Sequence, residues 1–103
     1  MKESDIQHDI IHFFERHGWY VVKIIQCNKN GWPDLQCHKN GVTLFVEVKS
    51  EKGIVSELQH YRHKQLRDKG FIVIITSSLN QLEYELINLS HQLRTEWAVS
   101  HSN

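Results

Sequence analysis

Apolar residues recur at helical spacing from Glu3 to His17, at Ile6, Ile10, Ile11, Phe13 and Phe14, which predicts an amphipathic helix. Ser4 and Gln7 have the S-x-x-Q spacing of a capping box, with Lys2 as the alternative start, and Gly18 supplies a C-terminal stop. Trp19 to Gln26 is β-branched and aromatic and predicts a strand. A polar loop from Cys27 to Trp32 leads into a second strand opened by Pro33 and Asp34, since proline is tolerated at a strand's first residue. Asn40-Gly41 is a strong hairpin signal, and Val42 to Lys49 would be nearly all apolar without Glu47 and Lys49.

After a polar bend at Ser50 to Gly53, a helix is predicted from about Val55 to Lys69. Its inward stripe is Leu58, Tyr61, Gln65 and Leu66, and Gly70 ends it. The continuous apolar run from Phe71 to Thr76 is that of a strand buried on both faces. Strand, helix, strand implies a crossover that sets this strand parallel to Val42–Lys49. Leu82, Leu86, Leu89 and Leu93 predict a last amphipathic helix over Leu79 to Leu93. The order α-β-β-β-α-β-α is that of an α/β protein with a mixed sheet. It fits one domain over residues 1–99, with Ser100 to Asn103 as a disordered tail and neither repeat nor linker.

Composition narrows the class only a little. The chain has 103 residues, 40% of them hydrophobic and 23% charged, as in an ordinary soluble globular domain. No apolar run is long enough for a membrane span and the N-terminus is polar, so neither a span nor a signal peptide is expected. Cys27 and Cys37 lack CxxC spacing and are read as reduced, buried small hydrophobes rather than a disulfide or zinc site, which suits a cytosol. A net charge of zero is a poor fit to a simple nucleic-acid binder. Its distribution is a better one, because residues 21–70 hold nine Lys and Arg against five acids and the outer segments hold three against seven. A basic centre in an acidic frame allows a phosphate-facing surface.

The chemistry gathers around the hairpin. Side chains alternate across a strand, so Glu47 and Lys49 share a face while Val46 and Val48 take the other. A neighbouring antiparallel strand brings Asp34 beside Glu47, and burying two like charges is costly unless a cation or a shared proton offsets them. An exposed ion pair on an edge strand would account for Glu47 and Lys49, but not for the spacing to Asp34. His8 and His12 lie one turn apart without a third ligand nearby and are read as exposed; with His60 and His63 they are the only basis for a zinc-type hydrolase. Trp32 is expected to pack against the sheet, with base stacking as the alternative. Lys29 and Asn30 on the preceding loop are candidate phosphate contacts.

Asn30-Gly31-Trp32-Pro33-Asp34, then Phe45 to Gly53 with Glu47-Val48-Lys49 at its heart, then Ser56-Glu57-Leu58-Gln59 resemble the PD-(D/E)XK nuclease superfamily. Within it they resemble the VRR-NUC branch, the virus-type replication and repair nuclease domain, here standing alone. The resemblance spans roughly Glu3 to Ser78 and implies a restriction-endonuclease-like core and a metal-dependent DNA endonuclease. It implies Mg²⁺ or Mn²⁺ held by Asp34, Glu47 and the backbone carbonyl of Val48, with Glu3 facing the metal site from the first helix. Both ions are hard and prefer oxygen ligands. Lys49 would orient or deprotonate the attacking water, or stabilise transition-state charge. Gln59 would hydrogen-bond a metal-bound water or phosphate beside the catalytic strand. Lys29, Asn30 and Lys52 would contact DNA.

Stand-alone members of this branch resemble junction-resolving nucleases, which implies branched DNA as substrate and a homodimer with its interface partly on Leu79–Leu93 and Trp97. A cytoplasmic phage or prophage protein in a bacterial host is expected, with no membrane partner and no small-molecule cofactor. The alternative is a nucleic-acid-binding domain that keeps the fold without cleaving.

Overall fold

The computed structural model describes residues 1–93, with side chains described up to residue 90, so Trp97 and the tail from Ser100 lie outside the described residues. Seven elements follow in order: α1 (Glu3–Arg16), β1 (Tyr20–Lys23), β2 (Leu35–Lys39), β3 (Val42–Val48), α2 (Glu57–Asp68), β4 (Ile72–Thr76) and α3 (Leu79–Leu93). The four strands form one sheet in the order β1-β2-β3-β4. The first two pairings are antiparallel and β3–β4 is parallel, as the helical crossover through α2 requires. Asn40 (φ 50°) and Gly41 (φ 80°) both take the left-handed region that a two-residue hairpin turn demands, a conformation these two residue types accept most readily.

One face of β3 presents Leu44, Val46 and Val48 to Ile6, Ile10 and Phe14 of α1 and to Leu82 and Leu86 of α3, all buried. The other face carries Phe45, which packs with Leu66 of α2, Val73 of β4 and Trp32. The sheet is thus sandwiched, with the larger core on the α1–α3 side. Among the described residues no helix is long and apolar enough to cross a membrane.

Three local expectations need correction. The capping box at Ser4 and Gln7 does not form: Lys2 is the N-cap of α1 and makes no side-chain cap bond, so Ser4 lies inside the helix. The first strand is shorter than the apolar run, because its pairing with β2 stops at Lys23↔Leu35; Ile25 stands exposed and Trp19 instead packs edge-on against Phe14. Most telling is α2, where Leu58 is 42% and Tyr61 55% exposed and Gln65 is exposed, while His63 and Leu66 are buried. The helix turns its polar residues toward the sheet because the surface beneath them is polar. It covers Glu47.

Candidate functional site

Register places the first pair. Leu35 lies opposite Val46, so Asp34, one residue before β2, comes level with Glu47. The Asp34 carboxylate is anchored there: Oδ2 accepts the backbone N–H of Val48 at 2.7 Å. Glu47 projects to the α2 side of the sheet and is 0% exposed. Both of its oxygens are addressed from α2, with His63 Nε2 at 3.1 Å from Oε1 and Gln59 Nε2 at 3.5 Å from Oε2.

Gln59 owes its aim to the helix start. Ser56 caps α2, its hydroxyl accepting the Gln59 N–H at 3.1 Å while Gln59 Oε1 accepts the Ser56 N–H at 2.9 Å. With its carbonyl committed to the cap, the amide has only its NH₂ to offer the carboxylate. Lys49 follows β3 directly; its N–H extends the ladder to the Thr76 carbonyl at 3.0 Å. Its side chain is half-buried and borders a hollow of about 180 Å³ with Ser50, Gly53, Ser77 and Gln81. Glu3 reaches the same end of the sheet from the start of α1, where Oε1 accepts the Ser50 N–H at 3.4 Å. The loop is tight at that point. A Cβ added to Gly53 would lie 3.2 Å from Glu3 Oε1.

Electrostatics explain why these groups belong together. Burial first, then the hydrogen bond and the charge of Asp34, push the Glu47 carboxyl up to about 8, with Lys49 pulling the other way and Glu3 adding to the rise. Burial, followed by the charges of Arg67, His60 and Lys49, lowers His63 to about 4. His63 therefore stands beside Glu47 as a neutral imidazole with Nε2 at hydrogen-bond distance from the carboxyl, and among the described residues its buried Nδ1 has no partner. At neutral pH the carboxylate pair keeps a proton that a cation would displace. The donor set fits a hard ion: carboxylate oxygens of Asp34 and Glu47, with Glu3 at the rim and the backbone carbonyl of Val48 one residue after Glu47. Among the described residues no three His, Cys, Asp or Glu side chains group as ligands; Mg²⁺ is commonly bound through one or two carboxylates and keeps several waters.

The remaining predicted contacts lie around this centre. Lys29 and Lys52 are exposed, and Asn30 uses its carbonyl to accept the Arg62 Nε–H at 2.8 Å. That bond, with Gly31 (φ 80°) so close to α2 that a Cβ would stand 2.8 Å from Leu58 Cγ, docks the loop on the first turns of α2. Trp32 packs, as expected, edge-on against Phe45, and its ring N–H donates to Gln36 Oε1 at 3.3 Å. His8 and His12 stand exposed on α1. Sequence reasoning named His63 only as a candidate ligand of a zinc-type hydrolase and missed its place beside Glu47. Its signal was the four-residue spacing from Gln59, which stacks the two on one helix face.

No protein-family profile matches the chain, nor does any curated protein. Among solved structures, one described as a VRR_NUC domain is similar over 85% of this chain and 96% of its own, at 32% identity and a TM-score of 0.75. A second, described as a VRR_NUC domain protein, is similar over 100% of this chain and 98% of its own with a TM-score of 0.72; at 16% identity it shows the fold alone.

Proposed function

The chain belongs to the VRR-NUC nuclease-domain family, and from that premise we propose that it is a Mg²⁺- or Mn²⁺-dependent endonuclease that hydrolyses DNA phosphodiester bonds at Asp34, Glu47 and Lys49. The observation that carries this reading is the buried Glu47 carboxyl, level with Asp34 and pushed up to about 8, beside the ammonium of Lys49. Asp34, Glu47 and the Val48 carbonyl would hold the ion, with Glu3 beside them. Bound there, it would supply an activated water, neutralise phosphate charge and assist the leaving 3′ oxygen. Lys49 brings an ammonium to the non-bridging oxygens on which charge builds. Gln59 offers its NH₂ to the same space, a neutral donor that adds no charge. The test is cleavage of single-stranded, duplex, nicked and branched DNA with and without Mg²⁺ or Mn²⁺. Binding without cleavage under all these conditions would leave a nucleic-acid-binding domain that keeps the fold.

The substrate we propose is branched DNA, cut by a two-fold homodimer. One site cuts one strand, and two copies with sites facing opposite arms would nick symmetry-related strands of a four-way junction. What supports this is the outer face of α3, where Tyr84 is 68% and Ile87 47% exposed while Leu82 and Leu86 turn inward. Light scattering paired with junction cleavage tests it. A monomer at tens of micromolar that cuts linear duplex as readily as a junction would exclude the dimer.

A further inference from the structure

Helix α2 spends a buried position on an imidazole where packing alone would favour a leucine. His63 is 0% exposed, and among the described residues its buried Nδ1 has no partner, an unfavourable arrangement for folding. Its ring meets Glu47, with Nε2 at 3.1 Å from Oε1. One turn earlier the cap-fixed Gln59 points its amide at Oε2. A glutamate left alone has three freely rotating side-chain bonds, and ordering it opposes binding. Two donors projecting from one helix remove that freedom before any ligand arrives.

We propose that His63 is a positioning residue: with Gln59 it clamps Glu47 so that the carboxylate presents a fixed plane toward Asp34, where a hard divalent cation would bind. This rests on the nuclease reading above. His63 does not touch the ion. It acts through the carboxylate, as outer partners of metal ligands do, and such partners typically account for 10- to 100-fold in metal affinity. In this role Nε2 carries the ring proton, because His63 serves as a donor to Glu47 only with its proton there.

The experiment uses the full chain and Mn²⁺ as the probe, with affinity read by titration calorimetry or electron paramagnetic resonance. His63→Phe keeps a flat aromatic ring, somewhat larger, and loses the donor; His63→Gln keeps a donor on a chain of similar reach. H63F is expected to fold and to bind Mn²⁺ about tenfold or more weakly, whereas H63Q stays within about threefold of the wild type. H63F binding as tightly as the wild type, or H63Q as weakly as H63F, would overturn the proposal while leaving the nuclease reading in place. A wild type that binds no Mn²⁺ overturns both; binding that Asp34→Ala abolishes upholds the parent reading by itself. Long-range ¹H–¹⁵N spectra of the metal-free protein give a readout independent of metal. They should show the Nε2–H tautomer of His63, and an Nδ1–H tautomer would refute the clamp even if H63F fails to fold.

Discussion

On one face of β3, Leu44, Val46 and Val48 are sealed beneath α1 and α3; on the other, beneath α2, Phe45 gives way to Glu47, and Lys49 follows just past the strand. The two sets alternate residue by residue from Leu44 to Lys49, one position past the end of the strand. The apolar face is held by area and volume, and its partners need only be hydrophobic and of the right size. The polar face is held by directed bonds from His63, Gln59 and Asp34, whose geometry must be right to within tenths of an ångström. A strand buried on both sides is what lets a carboxylate be desolvated and still sit at the end of a rigid ladder.

Breaking the polar face should cost function first. Asp34→Ala and Glu47→Ala are each expected to lower cleavage about a thousandfold or more while the thermal transition stays cooperative. Near wild-type cutting by either variant would place the site elsewhere. Breaking the apolar face should do the reverse. Leu44→Ala removes a fully buried side chain and should cost about 2–5 kcal/mol in urea unfolding, with the folded fraction still active.

A smaller effect separates the faces by pH. Glu47 is raised from 4.5 to about 8, so the stability it contributes without metal is complete below 4.5 and is lost as pH rises through 8. His63, lowered from 6.5 to about 4, acts oppositely: its contribution is present above 6.5 and lost as pH falls through 4. Above pH 6.5 only Glu47 is still changing. The metal-free protein should therefore lose about 1–2 kcal/mol between pH 6.5 and 8.5, and Glu47→Gln should flatten that slope. Urea midpoints in chelator at the two pH values check it, and an equal slope in both proteins would contradict the shift.

The smallest expected effect is that of Gln59→Ala. It removes one neutral hydrogen bond to the carboxylate and one half of the cap, about 1 kcal/mol each. Cleavage should fall roughly fivefold to tenfold, with a comparable loss of stability. A loss equal to that of Asp34→Ala would make the amide essential, and none at all would return it to the surface.

Much of this was legible in the chain. The periods of two and of about 3.6 residues located every element, and Leu79–Leu93 agrees with its predicted span. Asn40-Gly41 set the hairpin turn, and its register in turn made Asp34 a neighbour of Glu47. These are local rules, governed by backbone sterics and by which side of an element meets water. The two S-x-x-Q runs show where such rules end: Ser56 and Gln59 form a capping box and Ser4 and Gln7 do not, because α1 begins earlier, at Glu3. His63 shows it better. Judged by hydrophobicity alone, Leu58 and Tyr61 face inward, yet α2 docks with Gln59 and His63 against Glu47 and leaves Tyr61 55% exposed and Leu58 42% exposed beside the Gly31 loop. Which face of a helix is buried depends on what lies beneath it, and a desolvated carboxylate needs hydrogen-bond donors more than a helix needs to bury its leucine.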